Sequence, residues 1–353
     1  MRTHLLPLSL LTLCAAAQTS SAPALQRTRA VWFGQSENPI AAEIGLSFEA
    51  LPWDAAAKKA WDGPAGTRLP LAHAAWAELA TFTDLTFGKT AVKGGAYYVV
   101  LEKAKNGVCL GLLDASKVRA GQLPPGLGKG VPLVAAISLH ADEEDKEIRA
   151  LGAVFETSSN AGKVDLVLKY GPHTLRAKAD VKGAANASPM AFPDPRRASR
   201  TTFSTSPDGR ELFATVDHGM LVWTDQHKAQ ADQLKVGAHW RLGKDWATTL
   251  DTNTPLALDG KKLPVGSWHL TMAKTKDGWD LIVSSATADY ASKLDGFAAD
   301  YVTPVLSLPL QRDAEASKVD ELRIAFVTAD KVTRLVITFG GEQFATTVAL
   351  GKS

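Results

Sequence analysis

The densest group of chemically capable side chains in the chain is His239, Trp240, Arg241, Lys244, Asp245, Trp246, Asp251 and Asn253. It joins two indole faces, a guanidinium and short hydrogen-bond acceptors. An indole stacks on a sugar ring and a guanidinium forks onto a carboxylate, so the group suits capture of a sugar or a peptide. Trp240, Arg241, Trp246, Asp251 and Asn253 are the residues expected to touch such a ligand. Packing is the competing expectation. Tryptophan is mostly buried, which would make Trp240 and Trp246 inter-sheet residues with Arg241 bridging strands. The exposure of the two indoles separates these readings.

Other chemistries have less to stand on. His218, His227 and His239 lie nine and twelve residues apart, and neither H-x-x-x-H nor C-x-x-C occurs. A zinc site wants a local ligand pair, so no metal and no cofactor is expected. His269 falls on the outward phase of an alternating strand and is expected at the surface. There is no G-x-S-x-G elbow, and Ser206-Pro207-Asp208-Gly209 reads as a turn. Asp251 with Asp259, or Asp295 with Asp300, can be imagined as an acid and base pair. The Asp259-Gly260 and Asp295-Gly296 contexts favour turns instead. Gly126-Leu127-Gly128-Lys129-Gly130 lacks the strand and helix that frame a phosphate loop, and Pro124–Pro132 reads as a connecting loop.

The elements that must position these residues come in two similar sets. Trp246–Trp279 resembles Trp76–Val108. Phe203 matches Phe33 and Trp223 matches Trp53 at an offset of 170; Trp268 matches Tyr97, Lys274 matches Lys103 and Phe326 matches Phe155 at 171; Gly340 matches Gly171 at 169. Insertions that fall in loops produce such slips. The expectation is a tandem duplication, with one domain over 28–182 and the other over 198–350. The small, proline-rich segment 183–197 reads as the linker. The first copy keeps Trp76 but has Leu69-Pro70 where the second has Trp240-Arg241. A ligand group there would belong to the second domain alone.

Period two dominates both sets. Trp268, Leu270 and Met272 alternate, and Trp279, Leu281 and Val283 follow the turn Lys276-Asp277-Gly278. Leu335, Ile337 and Phe339 lead through Gly340-Gly341 to Phe344, Thr346 and Val348, a β-hairpin pattern. Leu166, Leu168 and Tyr170, a turn at Gly171-Pro172, and Leu175 to Val181 form its counterpart. Leu256 and Leu258, Asp259-Gly260 and Leu263 form another. Only Ala55–Trp61 and Asp289–Ala299 read as helices, and the acidic run Asp142–Glu147 reads as a loop or helix end. The predicted fold class is all-β: two tandem antiparallel β-sandwich or jelly-roll-like domains.

The stretch Val236–Leu270, with Trp240-Arg241-Leu242-Gly243 followed by Gly260-Lys261-Lys262-Leu263-Pro264-Val265-Gly266-Ser267-Trp268, resembles the domain of unknown function 2911 (DUF2911). The likeness covers most of 205–300 and extends more loosely to the first copy. It implies a secreted or cell-surface bacterial protein. No activity comes with it.

The first 22 residues have a basic start, the apolar run Leu5–Ala17 and small residues to Pro23, which describe a secretory signal peptide. The run is too short for a permanent membrane span. A lipoprotein reading at Cys14 ranks second, because Leu13 stands where a small residue is wanted. Removal of the signal leaves Cys109 alone, read as a buried small hydrophobe, so no intrachain disulfide is available. The formal net charge of +2 is scattered and leaves no footprint for nucleic acid. No other run approaches transmembrane length. The sequence thus predicts a secreted or periplasmic two-domain protein, most simply a non-catalytic module that binds an unknown extracellular ligand or envelope component. The alternative is a hydrolase of extracellular or envelope polymers.

Overall fold

The structure is a computed structural model that describes residues 24–34, 40–128, 130–157, 162–191, 196–205, 211–292, 304–313 and 317–351. The signal segment with Cys14, the turn at Ser206–Gly209 and the pair Asp295 and Asp300 lie outside these residues.

The fold is all-β, built from several antiparallel sheets. In the second half, Gly266–Lys274 pairs with Thr248–Thr252 on one side and with Trp279–Ser285 on the other. Lys274 and Trp279 close the hairpin, with Thr275 N–H donating to Gly278 O at 2.9 Å. Facing this sheet is a six-stranded one that contains Val332–Gly340 and Glu342–Leu350. Leu250, Leu270, Met272 and Leu281 from the first sheet meet Leu335, Ile337, Phe344 and Val348 from the second in one apolar cluster. Leu256–Leu258 and Lys261–Leu263 form the hairpin read from the sequence, with Asp259 and Gly260 at φ 46° and 75°. Two consecutive positive φ values suit a tight hairpin turn.

The first half has an apolar core of its own. Ile44, Leu46, Val99, Leu101 and Leu110 pack on Phe155, Leu166, Leu168 and Leu175. Strand Lys163–Val181 doubles back at Gly171 (φ 62°), so that Val181 N–H donates to Gly162 O at 2.7 Å. Strand Leu133–Thr157 follows it around that bend. This strand absorbs the acidic run Asp142–Glu147, expected in a loop or helix end: Asp142 and Glu143 are in register with Thr174 and His173. The charged side chains of Asp142 and Glu143 are tolerated there because the outer face of the ribbon is open to water.

The helices are short. α1 (Ala55–Trp61) begins where Asp54 accepts from Ala57 N–H at 2.9 Å and ends on buried Trp61, as the sequence suggested. α2 (Ala115–Ala120) is capped by Asp114 and carries buried Arg119. α3 (Asp225–Gln233) starts with a capping box between Thr224 and His227. α4 spans Ala286–Ala291 and so overlaps the expected helix Asp289–Ala299, of which residues 293–299 lie outside the described ones. No helix among the described residues is long and apolar enough to cross a membrane.

The large apolar clusters stay within their own halves, one drawn from residues 30–191 and the other from 203–350. The backbone does not respect that division. Leu25–Phe33 pairs with Ser188–Ala191 and, at Gln26↔Arg197 and Arg27↔Arg196, with Arg196–Thr205. The latter strand also pairs with Leu212–Gly219. The segment expected as a linker is therefore partly strand. Its small residues let it lie flat along the free edge of Leu25–Phe33, and the edge amides supply the hydrogen bonds.

Candidate functional site

The structure separates the residues expected to form one ligand surface. Trp246 is 3 % exposed, with the Arg27 guanidinium 5.3 Å from its ring centroid. Asn253 is buried and braces a neighbouring strand end: its Oδ1 accepts from Phe213 N–H at 2.8 Å, and its Nδ2 donates to Glu211 O at 2.7 Å. Trp240 and Arg241 are half-buried in the strand His239–Arg241, paired to Thr271–Ala273. Trp240 packs against the second-half core and meets Trp223 at 6.1 Å between ring centroids. Asp251 lies elsewhere, in the seam between the halves.

That seam is a network of paired charges. Arg119 Nε lies 2.6 Å from Asp251 Oδ1 and 3.0 Å from the Tyr98 hydroxyl, which itself donates to Asp251 Oδ2. Tyr98 stacks on Trp76 at 5.0 Å between ring centroids. Arg200 holds both oxygens of Asp217 at 2.7 and 2.6 Å and reaches Glu49 at 2.9 Å. Glu49 in turn accepts from His73 N–H at 2.7 Å. Arg29 pairs with Glu43 at 2.6 Å and donates to the Asp245 carbonyl.

Glu78 sits among these charges. Burial pushes its carboxyl up to about 7, reinforced by the Asp251 carboxylate and opposed by Arg27 and Arg119. Burial, and then Asp251, holds the Tyr98 hydroxyl well above its ordinary range. The space left at the seam is about 20 Å³, lined by Glu78, Asp217 and Asp251 among others. That is room for one water. Asp217 and Asp251 are clamped by arginines, and a space of this size admits no polymer chain.

His269 corrects the expectation of a surface position. It is buried, its Nδ1 2.7 Å from Asp289 Oδ2, and Ser284 Oγ donates to the same oxygen at 2.9 Å. Tyr290 of α4 sits edge-on to the imidazole at 5.4 Å. The alternation read from the sequence assumed one bare face, but α4 covers the outer face of Gly266–Lys274. Cys109 is buried, as expected. Among the described residues, no three His, Cys, Asp or Glu side chains are grouped to hold a metal ion.

An open concavity of about 380 Å³ lies elsewhere, on the second half. Trp223, Trp279, Phe339 and Phe344 give it aromatic walls, with Ala231 among the residues that line it. Lys274 places its ammonium 4.6 Å from the Trp279 ring centroid. Arg312 bonds Glu342 through two contacts of 2.7 and 2.8 Å, and Lys228 reaches Asp232 at 2.6 Å. Lys276 lies on the exposed turn at the rim. The volume is within the range of small-ligand pockets, roughly 300–1,000 Å³.

Residues 217–348 match the family described as a protein of unknown function, DUF2911. The DUF2911 segment covers less than half of the chain and contains every residue lining the aromatic concavity. It also contains Trp240, Arg241, Trp246, Asp251 and Asn253. The chain matches none of the curated proteins. Reading the DUF2911 segment for clustered polar residues missed Trp223, Trp279, Phe339 and Lys274, which are distant in sequence. The alternation that places Trp279 and Phe339 on strands is legible, but nothing local brings them to Trp223.

Proposed function

We propose that the protein works outside the cytoplasm, secreted or periplasmic, as a non-catalytic binding module made of two tandem copies of one β-sandwich. The second copy carries the ligand contact. The observation behind this reading is the contrast between the two polar regions. Glu78, Asp217 and Asp251 are enclosed in a seam with room for one water, whereas the aromatic concavity is open. Trp240, expected to touch ligand, backs that concavity through Trp223.

Equivalent registers support the duplication. Leu110↔Ile137 in the first half corresponds to Leu281↔Leu308 in the second, both shifted by 171. Phe87↔Ala179 corresponds to Leu258↔Val348. Across the seam, Gln26↔Arg197 and Arg27↔Arg196 exchange places under an offset of 170, as a local twofold between copies requires.

Cosedimentation of the mature protein with envelope polymers (peptidoglycan sacculi, acidic polysaccharide) tests the binding role. Retention by at least one polymer, lowered in Trp279→Ala, is expected. Release of soluble fragments from the polymer would favour the hydrolase alternative, and no retention would remove the binding reading. Sequencing the N-terminus from the extracellular or periplasmic fraction tests the location. A start after Ala17 or near Ala22 is expected, a lipid-blocked Cys14 would replace secretion by anchoring, and an intact Met1 would overturn both.

A further inference from the structure

The two halves treat one position of the fold in opposite ways. In the first half, Trp53 leads into α1 and its indole lies over Gly171, where an added Cβ would come 2.3 Å from Trp53 Cε2. Trp61, at the end of α1, stacks on His173 with ring centroids 4.0 Å apart and planes 17° apart. Trp53 meets Trp61 at 6.0 Å and Tyr170 at 4.9 Å, and Lys103 sits 5.0 Å from the Trp61 ring centroid. The position is filled by the chain's own indole.

In the second half, Trp223 leads into α3 and lies over Gly340, where an added Cβ would come 2.6 Å from its Nε1. Phe339 meets Trp223 at 4.7 Å, as Tyr170 meets Trp53. Ala231 stands at the helix position of Trp61, and Glu342 replaces His173. Lys274 keeps the place of Lys103. The concavity of about 380 Å³ opens where the first half holds its indole–imidazole stack. Trp279 enlarges one wall from Val108 but does not fill the space.

We infer that this concavity is a binding site for a flat-faced ring bearing a carboxylate, an inference that rests on the second half being the binding unit. The ring takes the place of the Trp61 indole, against Trp223, Phe339 and Trp279. Flat apolar faces stack on aromatic walls, which holds for an aromatic ring and for the apolar face of a pyranose. The carboxylate follows from the charges at the rim. Asp232 and Glu342 are each already paired with a cation; Lys274, Lys276 and Asp277 line the concavity in no ion pair among the described residues, which leaves the positive side in excess. A carboxylate near the two ammonium groups completes the arrangement, and charge-assisted bonds of this kind are the stronger ones.

Titration calorimetry of the full mature protein with indole-3-acetate and with glucuronate, beside neutral indole and methyl glucoside, tests the site. At least one acid is expected to bind saturably, roughly tenfold more tightly than its neutral counterpart, and the acid that binds identifies an aromatic or a sugar source. Ala231→Trp restores the first-half plug and is expected to abolish binding. If that variant fails to fold, Lys274→Gln carries the test and is expected to remove the preference for the acid. No saturable binding of either acid, equal affinity for acid and neutral ligand, or unchanged binding after Ala231→Trp would overturn the inference. Polymer retention that neither acid competes away would also overturn this ligand class, while leaving the binding role intact.

Discussion

Asp251 of the second half is held by two residues of the first: Arg119 Nε lies 2.6 Å from its Oδ1, and the Tyr98 hydroxyl donates to its Oδ2. The side chains of Arg119 and Asp251 are only 9 % and 16 % exposed. Removing one partner of such a pair leaves a buried charge uncompensated, at a cost of about 3–5 kcal/mol. Arg119→Ala is therefore expected to lower the urea midpoint sharply. Asp251→Asn keeps the shape but leaves the Arg119 charge uncompensated, so it is expected to lower the midpoint as well. Equal, small losses for both would show that water already screens the seam.

Glu78 makes stability depend on pH. Its carboxyl titrates near 7 in the folded chain against an ordinary 4.5, because burial and the Asp251 carboxylate outweigh Arg27 and Arg119, with Asp217 adding to the rise. A raised carboxyl binds its proton more tightly when folded. Its contribution is complete below about 4.5 and is lost as pH climbs through about 7. Melting temperatures measured across that window are expected to fall with rising pH, and Glu78→Gln is expected to flatten the slope. An unchanged slope in the variant would assign the pH dependence to other groups.

Trp246 and Trp240 differ in depth, so their truncations are expected to differ. Trp246→Ala empties a buried site and is expected to cost about 3–5 kcal/mol. Trp240→Ala removes a half-buried ring and is expected to cost roughly half as much, while loosening Trp223 behind the concavity. Chemical denaturation of both variants provides the comparison. An unaltered midpoint for Trp246→Ala would return that indole to the surface.

Gly340 has two reasons to be glycine. Its φ is 57°, and a Cβ there would meet the Trp223 indole at 2.6 Å. Gly340→Ala is expected to cost about 1–3 kcal/mol, as overpacking does, and to shift Trp223. The fluorescence of the variant, compared with that of Gly171→Ala under Trp53, reports the shift. Two spectra identical to the parent would mean that each indole has room to spare.

The strands were legible because alternation and turn residues speak locally. Gly340-Gly341 and Asp259-Gly260 sit at the bends where they were expected, and Ala55–Trp61 is the helix its alanines suggest. The errors arise where a second layer acts. His269 obeys the alternation, but α4 and Asp289 cover its face. Ser188–Ala191 has the composition of a linker and becomes strand only because Leu25–Phe33 offers an edge. The candidate site was harder to see because its aromatic walls come from residues more than a hundred positions apart. Trp246 advertised itself by its company of polar neighbours, of which Asp251 and the Asp245 carbonyl serve the seam while Asn253 braces a strand end.

The shared strand Leu25–Phe33 sets a condition on dissecting the molecule. A fragment ending before Ser188 would expose bare amides and carbonyls along that strand, an invitation to pair with another copy. Such a fragment should self-associate however well its own interior packs, and the tendency should subside when a peptide spanning residues 188–205 is supplied in trans.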